Sequence, residues 1–200
     1  MSRKNITLAI EAFRRLKCTR SDTRLIVKTQ KLSRTQKSQI GEAINGDARI
    51  DWIHRQLSNA EMNSLIALAD CLVSTHRSEG FGLALAEAIV GNTPVIGTGW
   101  SGNMDFMHGT TSSLVEYEMA QVKPTDDIYG KYSSSDAVWA DPHVASVMDR
   151  MDQCLLGYDL SDLEVMKRNL ANNEKVWNTI LPNERIYFVG DRDVKERSIS

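Results

Sequence analysis

CLVSTHRSEGFGLALAEAIVGNTPVIGTGWSGNMDFM, residues 71 to 107, is the stretch whose reading decides the fold. A short apolar run, Cys71-Leu72-Val73, meets a polar loop ending in Ser78-Glu79-Gly80-Phe81-Gly82, and an almost wholly apolar segment from Leu83 to Gly91 follows. This order predicts a strand, a phosphate-facing loop and a buried helix. Leu83, Ala84, Leu85, Ala86, Ala88, Ile89 and Val90 surround Glu87, so a helix carrying them is apolar on nearly every face and expected to be covered. An ionised carboxylate in such a place costs several kcal/mol unless it is paired or hydrogen-bonded. Glu87 is therefore expected to have a partner.

Gly80 and Gly82 flank Phe81 where the helix begins. Residues without a Cβ allow a positive φ and close approach of a ligand, and the free N–H groups and positive dipole end of a helix start suit a phosphate. Glu79 lies eight residues before Glu87, roughly two helical turns. That spacing puts one carboxylate at the mouth of a cleft and the other along its wall, where they would meet two sets of hydroxyls on an elongated ligand. A metal would want them closer together.

Taken together, Glu79-Gly80-Phe81-Gly82, Glu87, Thr93-Pro94-Val95-Ile96 and the Gly-rich turn after them resemble the Glu-x7-Glu signature of the family 4 type, retaining glycosyltransferases of the GT-B fold. The resemblance extends from Arg3 to about Pro142. It implies a Rossmann-like three-layer α/β fold, a parallel sheet with helices on both faces, equivalent to the C-terminal, donor-binding half of a GT-B enzyme. It also implies that Glu79 faces the transferred sugar and that Glu87 hydrogen-bonds the ribose of a nucleotide-diphosphate sugar. No cofactor beyond that donor substrate, and no metal, is implied.

Outward from this centre, the chain of 200 residues is long enough for one domain with a substantial core, and 42% hydrophobic with 25% charged residues is ordinary for a soluble globular chain. No apolar run approaches the roughly 18 to 20 residues of a membrane span, and Met1-Ser2-Arg3-Lys4-Asn5 lacks the apolar core of a signal peptide. A cytoplasmic location is expected. Cys18, Cys71 and Cys154 are odd in number and widely spaced, which gives neither a disulfide framework nor a zinc pattern. The net charge of -2 hides an asymmetry: residues 1–40 hold eleven Lys and Arg against Glu11 and Asp22. Such a segment could attract a nucleotide diphosphate, or an anionic membrane surface if the protein sits peripherally on the inner face. Nucleic acid is disfavoured, because no aromatics interleave with the basic residues.

Residues 4–17 show helical spacing through Ile6, Ala9, Ile10, Phe13 and Leu16. In the resembling family a glycine-bearing strand precedes this helix, so the sheet is expected to lack its usual first strand. Arg3-Lys4-Asn5 matches the family's basic segment, which makes Lys4 the implied diphosphate ligand. Residues 23–29 and 48–53 read as parallel strands, and residues 32–44 as a helix between them. Ile53 and His54 fall at the C-terminal edge of the second strand, where the resemblance implies the nucleotide base. Ser58 with Glu61 forms a capping box for a helix through Met62, Leu65, Ile66 and Leu68. Gly99-Trp100-Ser101-Gly102-Asn103 reads as a second turn facing the cleft, from which Gly102 and Asn103 are implied donor contacts.

Residues 113–117 predict another strand, residues 123–141 a polar surface loop, and residues 144–155 and 161–177 two helices. The domain is expected to span residues 1–181, with a tail over 182–200. Ile186 to Val189 reads as one more strand that could fill the vacant sheet position. Two functions follow. One is the donor-binding part of a glycosyltransferase, hexosyl or related, acting on a glycan or lipid-linked acceptor and completed by the other GT-B half or another chain. The other is a catalytically silent sugar-nucleotide-binding or interaction module on the same scaffold. Family-level resemblance implies polysaccharide biosynthesis for the first.

Overall fold

The structure is a computed structural model that describes residues 3–16, 23–111, 113–126 and 136–173. From Arg3 the chain turns through Asn5 at φ 47° and starts helix α1 (Ile6–Arg15). Asparagine is one of the few residues that hold this left-handed conformation cheaply. Strand β1 (Leu25–Thr29), helix α2 (Arg34–Ile44) and strand β2 (Ile50–His54) form one crossover unit, with β1 and β2 parallel and Thr29 opposite His54. Helix α3 (Asn59–Ala67), strand β3 (Leu72–Ser74), helix α4 (Leu83–Val90), strand β4 (Val95–Thr98), the short helix α5 (Met104–Met107) and strand β5 (Leu114–Val115) continue the alternation. These last three strands pair in the order β3-β4-β5, all parallel.

Why these segments fold as they do is local. Ser33 and Gln36 cap α2 reciprocally, as Ser58 and Glu61 cap α3, so two backbone N–H groups at each helix start find acceptors. β4 is buried at all four positions, and its successive residues feed opposite cores. Val95 packs with Ile66, Leu85, Ile89, Phe106, Leu163 and Met166 on one face. Ile96 packs with Ile10, Phe13, Val27, Ile40, Val115 and Val147 on the other. Each such aliphatic side chain contributes about 1.5–3 kcal/mol of burial.

The fold is thus α/β, with parallel strands flanked by helices on both faces. Its sheet is in two pieces, since among the described residues β1 pairs only with β2, and β3 only with β4. The expected loop over residues 123–141 is corrected at its end. Strand β6 (Tyr117–Gln121) and strand β7 (Val138–Pro142) form an antiparallel hairpin, with Tyr117 opposite Pro142. The expected strand 113–117 ends at Val115, because Glu116 donates its N–H to Ser146 Oγ instead of continuing the ladder.

Helices α6 (Val144–Gly157) and α7 (Leu160–Ala171) close the domain. Asp162, 4% exposed in the first turn of α7, accepts the N–H groups of Thr111 and Ser113 at 3.1 Å each, which replaces the water its charge gives up. Cys71 and Cys154 are free thiols. Cys18, the tail over 182–200, the suggested strand Ile186 to Val189 and the end of the 161–177 helix lie outside the described residues.

Candidate functional site

Parallel strands present their C-terminal ends on one side, and there the loops after β3 and β4 meet the entry of the chain. Arg3 accepts the Arg77 N–H at 2.8 Å through its carbonyl, and the Asn5 carbonyl accepts the Thr75 hydroxyl at 2.8 Å. These contacts bring Arg3 and Lys4 to Glu79. Lys4 Nζ is in direct contact with Glu79 Oε1, while Arg3 Nη1 lies 3.3 Å from Oε2 and donates to the Ser78 carbonyl at 2.8 Å. The Glu79 side chain is only 10% exposed. Burial pushes its carboxyl pKa up, but the Lys4 hydrogen bond and the Lys4 and Arg3 charges outweigh that, so it titrates below the ordinary glutamate value.

The loop after β4 grips the same place from the other side. Ser101 accepts the Glu79 N–H at 3.0 Å through Oγ and returns its own proton to the Glu79 carbonyl, which also receives the Gly102 N–H at 3.1 Å. A Cβ on Gly102 would stand 1.9 Å from the Gly80 carbonyl oxygen. Only glycine fits there. Gly82 is the N-cap of α4 at φ 90°, with no side chain capping it, and its own missing Cβ would stand 3.2 Å from Asn103 Cβ. Among Gly80, Phe81 and Gly82, the middle residue turns inward, its ring 5.1 Å from that of Phe106.

Asn103 is fully buried, and its amide is already committed. Nδ2 donates to the Thr98 carbonyl at 2.9 Å, and Oδ1 faces His76 Nε2 at 2.9 Å. His76 Nε2 also faces the Trp100 carbonyl at 3.3 Å, so with two acceptors before it this nitrogen carries the proton, and Nδ1 accepts from Ser74 Oγ at 2.9 Å. Burial lowers the His76 pKa, which keeps the ring neutral. The neighbouring Arg77 pairs with Asp141 at 2.7 Å and lies over the Trp139 ring, tying the hairpin to the loop.

Glu87 departs from the expectation of a buried, paired carboxylate. α4 buries Leu85, Ala86, Ala88 and Ile89 against β3, β4 and α7, whereas Leu83, Ala84 and Glu87 lie on an exposed stripe. Leu83 is 46% exposed. The all-apolar sequence therefore marks a helix with one uncovered apolar face. Partial burial alone moves Glu87, raising its carboxyl above the ordinary value.

Ile53 and His54 stand at the C-terminal end of β2, apart from this cluster. His54 Nδ1 is 3.0 Å from Thr29 Oγ1, which also accepts the Trp52 indole N–H at 2.8 Å. The structure thus joins Lys4, Glu79, Gly80, Gly82, Gly102 and Asn103, adds Arg3, Ser101 and His76, and leaves Ile53 and His54 on the neighbouring sheet. Ser101 and His76 were marked in the sequence only by their places inside the turn and the loop. Among the described residues no group of three His, Cys, Asp or Glu gathers as a metal site, and no helix is long and apolar enough to cross a membrane.

Helix-flanked parallel strands with their long loops gathered at the C-terminal ends define a Rossmann-like α/β protein. The chain belongs to the family described as glycosyl transferases group 1, whose model matches residues 1–116, more than half of its length. A search of curated proteins finds no match. Membership carries glycosyl transfer as the activity, with a nucleotide sugar as donor and a second molecule as acceptor.

Proposed function

We propose that this chain is the donor-binding part of a family 4 type, retaining glycosyltransferase, the C-terminal half of a GT-B enzyme. It takes a nucleotide-diphosphate sugar and passes the sugar, hexosyl or related, to a glycan or lipid-linked acceptor brought by the other half or another chain. The observation that carries this reading is Glu87. It is an exposed carboxylate on an otherwise apolar open face of α4, with no ion-pair partner among the described residues, and it follows a glycine-led helix start without a side-chain cap. Such a group suits ribose hydroxyls, while the free N–H groups of the helix start suit phosphate.

In this reading Lys4 is withdrawn from Glu79 to the leaving diphosphate. Two cations on one carboxylate leave a surplus positive charge, which supports the same role. Glu79, still flanked by Arg3, faces the transferred sugar. Departure of the diphosphate through an oxocarbenium-like transition state is then eased by the Lys4 charge and the α4 helix start, without acid–base work by the glutamates. Gly80, Phe81 and Gly82 offer backbone contacts, Gly102 shapes the loop, Asn103 holds it from within, and Ile53 with His54 borders the base. Neither a cofactor nor a metal is assigned a part. The protein works in the cytoplasm, at the inner face of the membrane where its acceptor is lipid-linked, and contributes to polysaccharide biosynthesis.

The test is calorimetric titration of UDP, GDP, ADP, dTDP and CMP, with UDP-glucose and GDP-mannose, into the chain and into Glu87→Ala. One nucleotide should bind, with affinity at least tenfold lower in the variant. Binding unaffected by the substitution would overturn the role of Glu87. No binding of any probe would overturn the donor-binding reading of the isolated chain and favour the catalytically silent interaction module.

A further inference from the structure

Ser101 sits at φ 82°, a left-handed conformation in which side chains with a Cβ are strained and glycine is not. The position next to it is already glycine, for steric reasons. Backbone shape alone would therefore favour glycine at 101 as well. What the serine adds is one hydroxyl, and that hydroxyl is used twice: it accepts the Glu79 N–H and donates to the Glu79 carbonyl. The same peptide oxygen takes the Gly102 N–H, and the turn is held from below by His76, through Asn103 Oδ1 and the Trp100 carbonyl. Strain kept at such a point is what a functional site shows when its geometry is over-determined by its surroundings.

We propose that Ser101 is a positioning residue. Its hydroxyl latches the backbone of Glu79 so that the carboxylate is held between Arg3 and Lys4, at the depth where the transferred sugar would meet it. The inference deepens the donor-site reading and rests on it for the role of Glu79, but the latch itself is a property of the unliganded chain.

The chain is compared with Ser101→Gly and Ser101→Ala by thermal unfolding, by carbon NMR titration of the Glu79 carboxyl, and by calorimetry with UDP-glucose and GDP-mannose. Ser101→Gly removes both the strain and the hydroxyl, and Ser101→Ala removes the hydroxyl alone. The latch predicts that Ser101→Gly unfolds no lower than the parent chain while its Glu79 carboxyl titrates at higher pH and its donor affinity falls at least tenfold. It predicts the same two losses in Ser101→Ala, now with a lower melting temperature. A Ser101→Gly chain whose Glu79 titration is unchanged would reduce Ser101 to a turn residue and overturn the proposal. Should the parent chain bind neither sugar nucleotide, the donor reading falls for those sugars and the Glu79 titration in the two variants still decides the latch.

Discussion

Two glutamates eight positions apart have opposite electrostatic histories. Glu79 titrates below the ordinary value, so its pairing stabilises the fold above that value, and the stabilisation is lost as pH falls through the depressed folded pKa. Glu87 is raised by partial burial, with no compensating cation among the described residues, so its ionised form costs stability, and the cost vanishes as pH falls below the ordinary glutamate range. Replacing Glu87 with Gln should therefore leave the melting temperature at pH 7 unchanged or slightly higher. If the carboxylate accepts ribose hydroxyls, losing charged hydrogen bonds worth about 1.5–3 kcal/mol should weaken nucleotide binding tenfold to a hundredfold. Paired melting and calorimetry curves check both halves; a large drop in melting temperature would return Glu87 to a structural role. At Gly102 the demand is steric. Gly102→Ala forces a Cβ 1.9 Å from a carbonyl oxygen, and overpacking against backbone that cannot yield should cost 3 kcal/mol or more by denaturant unfolding, on the order of the largest point effects.

At the scale of elements, the capping boxes were legible because their chemistry is local: Ser58 and Glu61 are three residues apart in sequence and bond reciprocally in space. Ser58→Ala should cost about 1 kcal/mol in urea unfolding, mostly through fraying of α3. The strand–loop–helix order around Glu79 was legible for a similar reason, since glycines and apolar runs announce themselves. The open face of α4 was not. Leu83, Ala84 and Glu87 would be buried if any element covered them, and composition says nothing of whether one does. The β6–β7 hairpin escaped because a long polar insertion separates its strands, so its pairing is a long-range fact. Its anchors, Ala140 N–H on the Arg77 carbonyl and His143 N–H on the Glu116 carbonyl, are main-chain bonds that no side-chain pattern reports. The Ser101 latch is invisible in sequence for the same reason, a side chain meeting a backbone 22 residues away.

Among the described residues, the two parallel ladders are kept together by helix packing instead of strand pairing. α1 touches both β1 and β3, and one core cluster takes Val27 from the first ladder and Ile96 from the second. The basic first segment reads differently once folded. Arg3 and Lys4 are turned to Glu79, while Arg24 pairs with Asp51 and Arg14 caps the Ala43 carbonyl, so only part of that charge faces the site. The divided sheet also bears on how the protein behaves in a crowded solution. Within the described residues, no strand pairs with the sides of β1 and β3 turned away from their partners, an arrangement that in general invites an extended chain, and Ile26 on β1 is 45% exposed. Colloidal stability of this polypeptide thus depends on what shields those two margins as much as on its core.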